Sequence, residues 1–350
     1  MVHYLKTLDL LPGPGCTTSP AQQARFTNER LARPIRPAQH SLLHIMLTEL
    51  PTLTSFVSSA KILLIWLCTA TCADSSEPAH VQYLKPKKLA TLANSMIVES
   101  SGLACSRLEQ GVFWTHNDSG DEARIYAFDR RGRNRGIFLI SNVSAQDWED
   151  MASLVLDGQP CLLLADIGDN LARRKACVLY LVKEPVLRDL APDQTQPWPI
   201  LQTIHFIYED GSHNCEAVGF DEKNRTILLV TKERTAGSGV YSFIWPAASN
   251  STEKPVVARR IATTHFPLVT AMDIHSDGQR AIVATYGLAF EYLRSPAETW
   301  AQAFAREPGP VITPFRRQGE SVCYCTEGTT LYFTSEKRPT PLFELSGETP

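Results

Sequence analysis

Carboxylates recur at one structural position along this chain. Strand-like segments open with Glu99, with Asp147, Glu149 and Asp150, with Glu216, with Asp273 and with Glu320. Their partner segments close with His116-Asn117-Asp118, with Asp166, Asp169 and Asn170, with Lys232-Glu233 and with Glu336-Lys337. In an antiparallel hairpin the start of one strand lies beside the end of the next, so these groups share one edge. Carboxylates forced together repel and raise one another's pKa unless a cation, lysine or histidine compensates. Donor sets made only of oxygen suit Ca²⁺, whose coordination is large and flexible, better than Mg²⁺ or Zn²⁺. The expected metal ligands are Asp118, Glu149, Asp150, Asp166, Glu216 and Glu320. Glu99, Asn117, Trp148, Asp169, Asn170, Glu233, Asp273, Glu336 and Lys337 are expected to line a ligand pocket. His116 is the candidate base, and Lys232 the group to orient an anionic substrate. The opposing reading is structural: the acids cap strand starts, satisfy turn amides and pair with Lys232 and Lys337.

The elements that must position these groups repeat. Five strand pairs stand at 98–105 with 111–121, 147–156 with 162–170, 214–220 with 225–233, 270–275 with 281–286, and 319–325 with 330–337. Further strand-like sequence follows the first three pairs, giving four strands per unit. This predicts an all-β protein, a β-propeller of five blades, with six blades or a β-sandwich as alternatives. The fifth unit supplies only three strands, ending at 341–345, and the segment 81–92 has no partner of its own. It is expected to complete that blade and close the ring, which removes exposed strand edges. Only 295–306 reads as a helix, with Ser295 as cap and Pro296 at the first position. Asp157-Gly158, Asp210-Gly211 and Asp277-Gly278 read as turns, and Phe113, Trp114, Tyr126 and Trp245 as core.

The 350 residues carry 34 Lys+Arg against 37 Asp+Glu, a net charge of -3, with no basic run. That argues against nucleic acid as a partner. Residues 1–45 show no sustained period, whereas Lys61 precedes an apolar run at 62–73 that suits a signal-peptide core. The leader is therefore read as 1–73 and the propeller as 74–350, exported to the periplasm, the medium or the cell surface. Anchoring in the membrane by 62–73 is the alternative, and Met46 is a better-placed start than Met1. Residues 74–350 hold 28 Lys+Arg against 34 Asp+Glu, and cysteines at 105, 161, 177, 215, 323 and 325. In an oxidising compartment these could form up to three bridges of undefined connectivity, and no zinc spacing is present.

The motifs HNDSGD at 116–121, DWED at 147–150, DIGDN at 166–170 with Arg173, KEP at 183–185, YEDGSHNCEAV at 208–218, TKE at 231–233 and QGES at 318–321 resemble a family of exported bacterial propellers, usually labelled hypothetical or WD40-like. The resemblance spans about 97–345 and implies the fold without an activity; Asn214 and Cys215 depart from a more acidic family pattern. The alternation of rim acids is more distantly similar to phytase-like and lactonase-like calcium propellers. Two functions follow as expectations. One is a calcium-assisted hydrolase of a phosphoester or lactone. The other is a non-catalytic secreted module that binds a sugar, peptide or other ligand, with Ca²⁺ structural.

Overall fold

A computed structural model describes residues 80–247, 254–326 and 328–348. The leader 1–73, with its apolar run at 62–73, lies outside the described residues. Two strands come first, β1 (Gln82–Tyr83) and β2 (Lys87–Thr91). The first blade is β3 (Ser100–Cys105), β4 (Val112–Asn117), β5 (Arg124–Asp129) and β6 (Asn134–Ile140). The second is β7 (Trp148–Leu156), β8 (Gln159–Asp166) and β9 (Cys177–Lys183), completed by β11 (Ile200–Tyr208). Between β9 and β11, β10 (Thr195–Trp198) crosses back to lie parallel to β6. The third is β12 (Cys215–Asp221), β13 (Thr226–Thr231), β14 (Gly239–Ile244) and β15 (Val256–Thr263). The fourth is β16 (Val269–Ile274), β17 (Arg280–Thr285), β18 (Ala289–Leu293), a short helix α1 (Trp300–Phe304) and β19 (Gly309–Val311). The fifth is β20 (Ser321–Tyr324), β21 (Leu331–Thr334) and β22 (Pro341–Leu345), with β23 (Gly347–Glu348) pairing β1.

The ring closes as expected. β2 adds antiparallel to β22, from Lys87 opposite Glu344 to Thr91 opposite Pro341, supplying the missing fourth strand of the fifth blade. The innermost strands then pack in a closed order, β3 beside β7, β12, β16, β20 and again β3. The protein is a five-bladed β-propeller. An addition the sequence did not announce is the parallel pairing of Phe206–Tyr208 with Val256–Ala258, which joins the outer edges of the second and third blades.

The inner strands of each blade are buried on both faces and so are largely apolar, whereas outer strands such as β2 and β15 stay partly exposed. Along β13, Ile227 and Leu229 enter the core against the second blade, while Leu228 and Val230 enter the core against the fourth. Five such clusters, one per blade interface, hold the described ring together. Phe113, Trp114, Tyr126 and Trp245 all belong to this core. The β7–β8 hairpin turns on Asp157 (φ 52°) and Gly158 (φ 79°), the left-handed pair that a two-residue turn of matching twist requires.

The expected helix at 295–306 is shorter than its pattern. The Glu298 amide donates to the Ser295 carbonyl and the Glu298 carboxylate accepts from the Ser295 amide, which closes a turn there. The helix starts only after Thr299, whose side chain forms a capping box with Gln302. No helix among the described residues is long and apolar enough to cross a membrane.

Candidate functional site: a carboxylate cluster at the channel mouth

Each first strand begins at the same mouth of the central channel, and three of them carry a glutamate at one equivalent place: Glu149, Glu216 and Glu320, with Ser101 and Thr270 in the first and fourth blades. Glu149 and Glu216 sit at β-bulges, where the ladder skips from Trp148 to Asp150 and from Cys215 to Ala217. A bulge inserts an unpaired residue and re-aims its side chain. Here it turns both carboxylates out of the blade and into the channel, where Glu149, Glu216 and Glu320 offer oxygens within 4.8 Å of one another, all buried. Glu149 also belongs to a second cluster, with Asp118 and Asp147.

Gly168 makes this approach possible. A Cβ there would lie 2.2 Å from Glu149 Oε1 and 2.5 Å from Asp147 Oδ2, so any side chain would occupy the place of the carboxylates. The glycine of the DIGDN motif is therefore part of the cradle.

The charges are unevenly compensated. Glu216 accepts from Lys232 Nζ at 2.8 Å and from Asn214 Nδ2 at 2.9 Å, and Glu320 accepts from Gln318 Nε2 at 2.8 Å. Glu149 is 3 % exposed, and among the described residues its carboxylate has neither a hydrogen-bond donor nor an ion pair. Burial pushes its pKa well above the usual carboxylate range, and Glu216, Asp118 and Asp147 add to the effect. Burial raises Asp147 to about 6, with Asp118 contributing, and raises Asp118 and Glu216 as well, Lys232 opposing the shift at Glu216. On the far side of the mouth, burial and Glu320 raise Glu336, while Lys337 bridges Glu336 at 3.7 Å and Glu99 at 3.4 Å.

The donor chemistry fits a hard cation. The oxygens come from separate blades and are all carboxylate, and the least compensated of them is the one shared by both clusters. Asp118, Asp147, Glu149, Glu216 and Glu320 would hold it; Asp147 was recognised as a strand-start acid but not as a ligand, although DWED displays it.

Asp150, Asp166, Asp273 and Trp148, all expected in the site, stand elsewhere. Asp150 is fully buried and accepts the amides of Met151 at 2.9 Å, Val218 at 2.9 Å and Met272 at 3.2 Å, so it ties the second blade to the third and fourth and stands outside both acid clusters. Asp166 is in neither cluster: it accepts Arg174 Nη1 at 2.7 Å and the amides of Gln146 and Asp147, fixing the loop that presents the acids. Asp273 lies beyond the mouth, accepting the amides of Ile274 and Tyr324 across the fourth and fifth blades. Trp148 is buried in the core between the first two blades.

His116 corrects the expectation of a base. Its ring is 0 % exposed, with Nδ1 2.8 Å from the Asn117 carbonyl oxygen and an edge against Trp148. Burial lowers its pKa below 6.5, although Asp118 and Asp121 nearby favour the charged form. A histidine kept neutral in the fold but free to protonate when unfolded costs stability as pH falls from 6.5 toward the folded value. Urea midpoints at pH 7 and pH 5 should therefore fall further for the wild type than for His116→Gln; equal falls would refute the assignment. Asn117 is likewise structural, its Oδ1 accepting the amides of Val98 and Glu99.

Beside the cluster opens a cleft of about 680 Å³, lined by Asp169, Asn170, His213, Lys232, Glu233 and Tyr286 among others. Burial opposes the charge of Lys232, but Glu216 and Glu320 hold its ammonium above the usual value, and it lies 4.9 Å from the Tyr286 ring centre. Arg234 adds a second positive side chain to this wall. Tyr286 and Arg234 were not singled out from the sequence, since nothing in their local pattern distinguishes them from ordinary strand-end residues.

No family model matches the chain, and no curated protein does. Among solved structures it is similar to a gluconolactonase from Xanthomonas campestris, at 12% identity and a TM-score of 0.42, over 79% of this chain and 93% of that one. It is also similar to a structure of a nidogen/laminin complex, at 13% identity and a TM-score of 0.40, over 68% of this chain and 73% of that one.

Proposed function

We propose that this propeller holds Ca²⁺ at the channel mouth and acts there on an anionic ester, a phosphoester or a lactone opening to a carboxylate. The observation that carries the reading is Glu149: a carboxylate 3 % exposed, without a donor among the described residues, and common to both acid clusters. A buried carboxyl either keeps its proton or takes a counter-charge, and the lysine at hand, Lys232, already engages Glu216. Calcium, when bound, supplies positive charge that polarises a phosphoryl or acyl oxygen. The chain's own part is to gather the acids from four blades, to seat the substrate in the adjoining cleft, and to meet the negative charge of the ester or of its product with Lys232 and Arg234. Export belongs to the same reading, since extracellular modules meet Ca²⁺ at concentrations that fill sites across a wide range of affinity.

The test is thermal unfolding of the full chain after EDTA treatment, followed through a Ca²⁺ titration with Mg²⁺ as control. A midpoint rise of roughly 5–10 °C at saturating Ca²⁺, and a smaller one with Mg²⁺, is expected. No shift with either ion would mean that lysines compensate the acids internally, and would leave a metal-free binding module as the better account. Calcium-dependent turnover across phosphoesters and lactones then separates hydrolase from binder.

A further inference from the structure

The seam at which the ring closes carries three thiols, Cys105, Cys323 and Cys325, and a distance fixes the pairing of the first two. β3 of the first blade and β20 of the fifth lie side by side there, and Cys105 Sγ stands 3.6 Å from Cys323 Sγ. Both sulfurs belong to the core between these blades, with Phe113, Tyr332 and Leu342. They come from the innermost strands of two different blades, 218 residues apart in sequence. Elsewhere this closure rests on the β2–β22 ladder, on apolar packing and on polar links such as Arg130 to Tyr332 and Glu344 and Ser100 to Thr334. A disulfide requires the sulfurs at about 2 Å, so the remaining gap of about 1.5 Å is within reach of side-chain rotation and a small strand adjustment.

We propose that Cys105 and Cys323 are an oxidation site at which a small-molecule disulfide, such as oxidised glutathione, forms a covalent staple between the first and last blades. One cysteine thiolate attacks the glutathione disulfide, forming a mixed disulfide and releasing one glutathione thiolate. The second cysteine thiolate attacks the protein sulfur of that intermediate, forming the Cys105–Cys323 bond and releasing the other glutathione. The two cysteine protons end on the two glutathiones, and the two electrons lost by the protein reduce the reagent. Burial pushes both thiols above their usual range, which places the reaction in the folding chain or in an opened seam and leaves the closed seam unreactive. Closing so long a loop restricts the unfolded chain strongly. The inference is independent of calcium and of any activity.

The full chain is unfolded and refolded in a glutathione redox buffer, alkylated without reduction, digested and mapped by mass spectrometry. The expected result is a cross-linked pair joining Cys105 and Cys323, lighter by two hydrogens than the separate peptides. The thermal midpoint should fall by roughly 5–15 °C on adding reductant, and Cys323→Ala should lose this dependence. Alkylated thiols at both positions, or a bridge from Cys105 to Cys325 instead, would overturn the proposal. Should Cys323→Ala fail to fold, the wild-type map and its midpoint with and without reductant decide the matter.

Discussion

Glu149→Gln should change stability in opposite directions depending on calcium. In EDTA the variant is expected to be more stable than the wild type by about 1–3 kcal/mol at pH 7.5, because it replaces a buried, undonated carboxyl among other carboxyls with a neutral isostere. In saturating Ca²⁺ the order should invert, since the variant loses the oxygen common to both clusters and with it most of the cation-linked rise in midpoint. Any calcium-dependent turnover should vanish with it. The pH dependence follows from the same groups. A carboxyl whose folded pKa is raised contributes stability below its unfolded value and loses it as pH rises through the folded one. For Asp147 that window runs from 3.8 to about 6, and Glu149 extends it upward. Metal-free wild type should therefore weaken across that range, while Glu149→Gln weakens less. Denaturant titrations with and without Ca²⁺ would measure all of this, and a variant that is destabilised equally in both conditions would remove Glu149 from the cation site. Gly168→Ala offers a check without altering a charge. Its methyl displaces Glu149 and Asp147, so calcium affinity should drop by roughly two orders of magnitude while the blades remain folded.

Asp150→Ala should be among the most damaging substitutions in the propeller, at about 3–5 kcal/mol. The carboxylate is the acceptor for Val218 and Met272 amides on two other blades and for its own neighbour Met151, all buried. Removing it leaves these donors without a partner, at about 1–3 kcal/mol each, and opens a void where three inner strands meet. Asp150→Asn, which keeps one acceptor oxygen, should recover part of the loss. Urea unfolding monitored by tryptophan fluorescence gives the comparison; a cost below about 1 kcal/mol for the alanine variant would mean that water takes over the role. The contrast with Glu149 is sharp, for these neighbours in DWED are predicted to have opposite roles: one limits apo stability, the other supports it.

The residues of the cleft were legible only in part. Lys232 announces itself at the end of β13 beside the acids, but Tyr286 and Arg234 reach the same space from loops whose local sequence carries no signal. Asp118, Glu216 and Glu320 were expected at the mouth and stand there. Asp166 was expected with them, and its engagement by Arg174 depends on a contact eight residues away across a loop.

The hairpin repeat alone determined the architecture. Its turns, its apolar strands and the orphan segment before the first blade point to a propeller of five blades, with six left open, and to the strand that closes it, because each blade must bury both faces and no edge can remain open. Only the tertiary structure decided which polar residue of each strand start faces the channel. Sequence alternation identifies sides of a strand but not which side is the channel, since apolar cores flank both. The bulges at Glu149 and Glu216 then shift the parity by one, turning these glutamates into the mouth, while Asp150 joins the blades behind them.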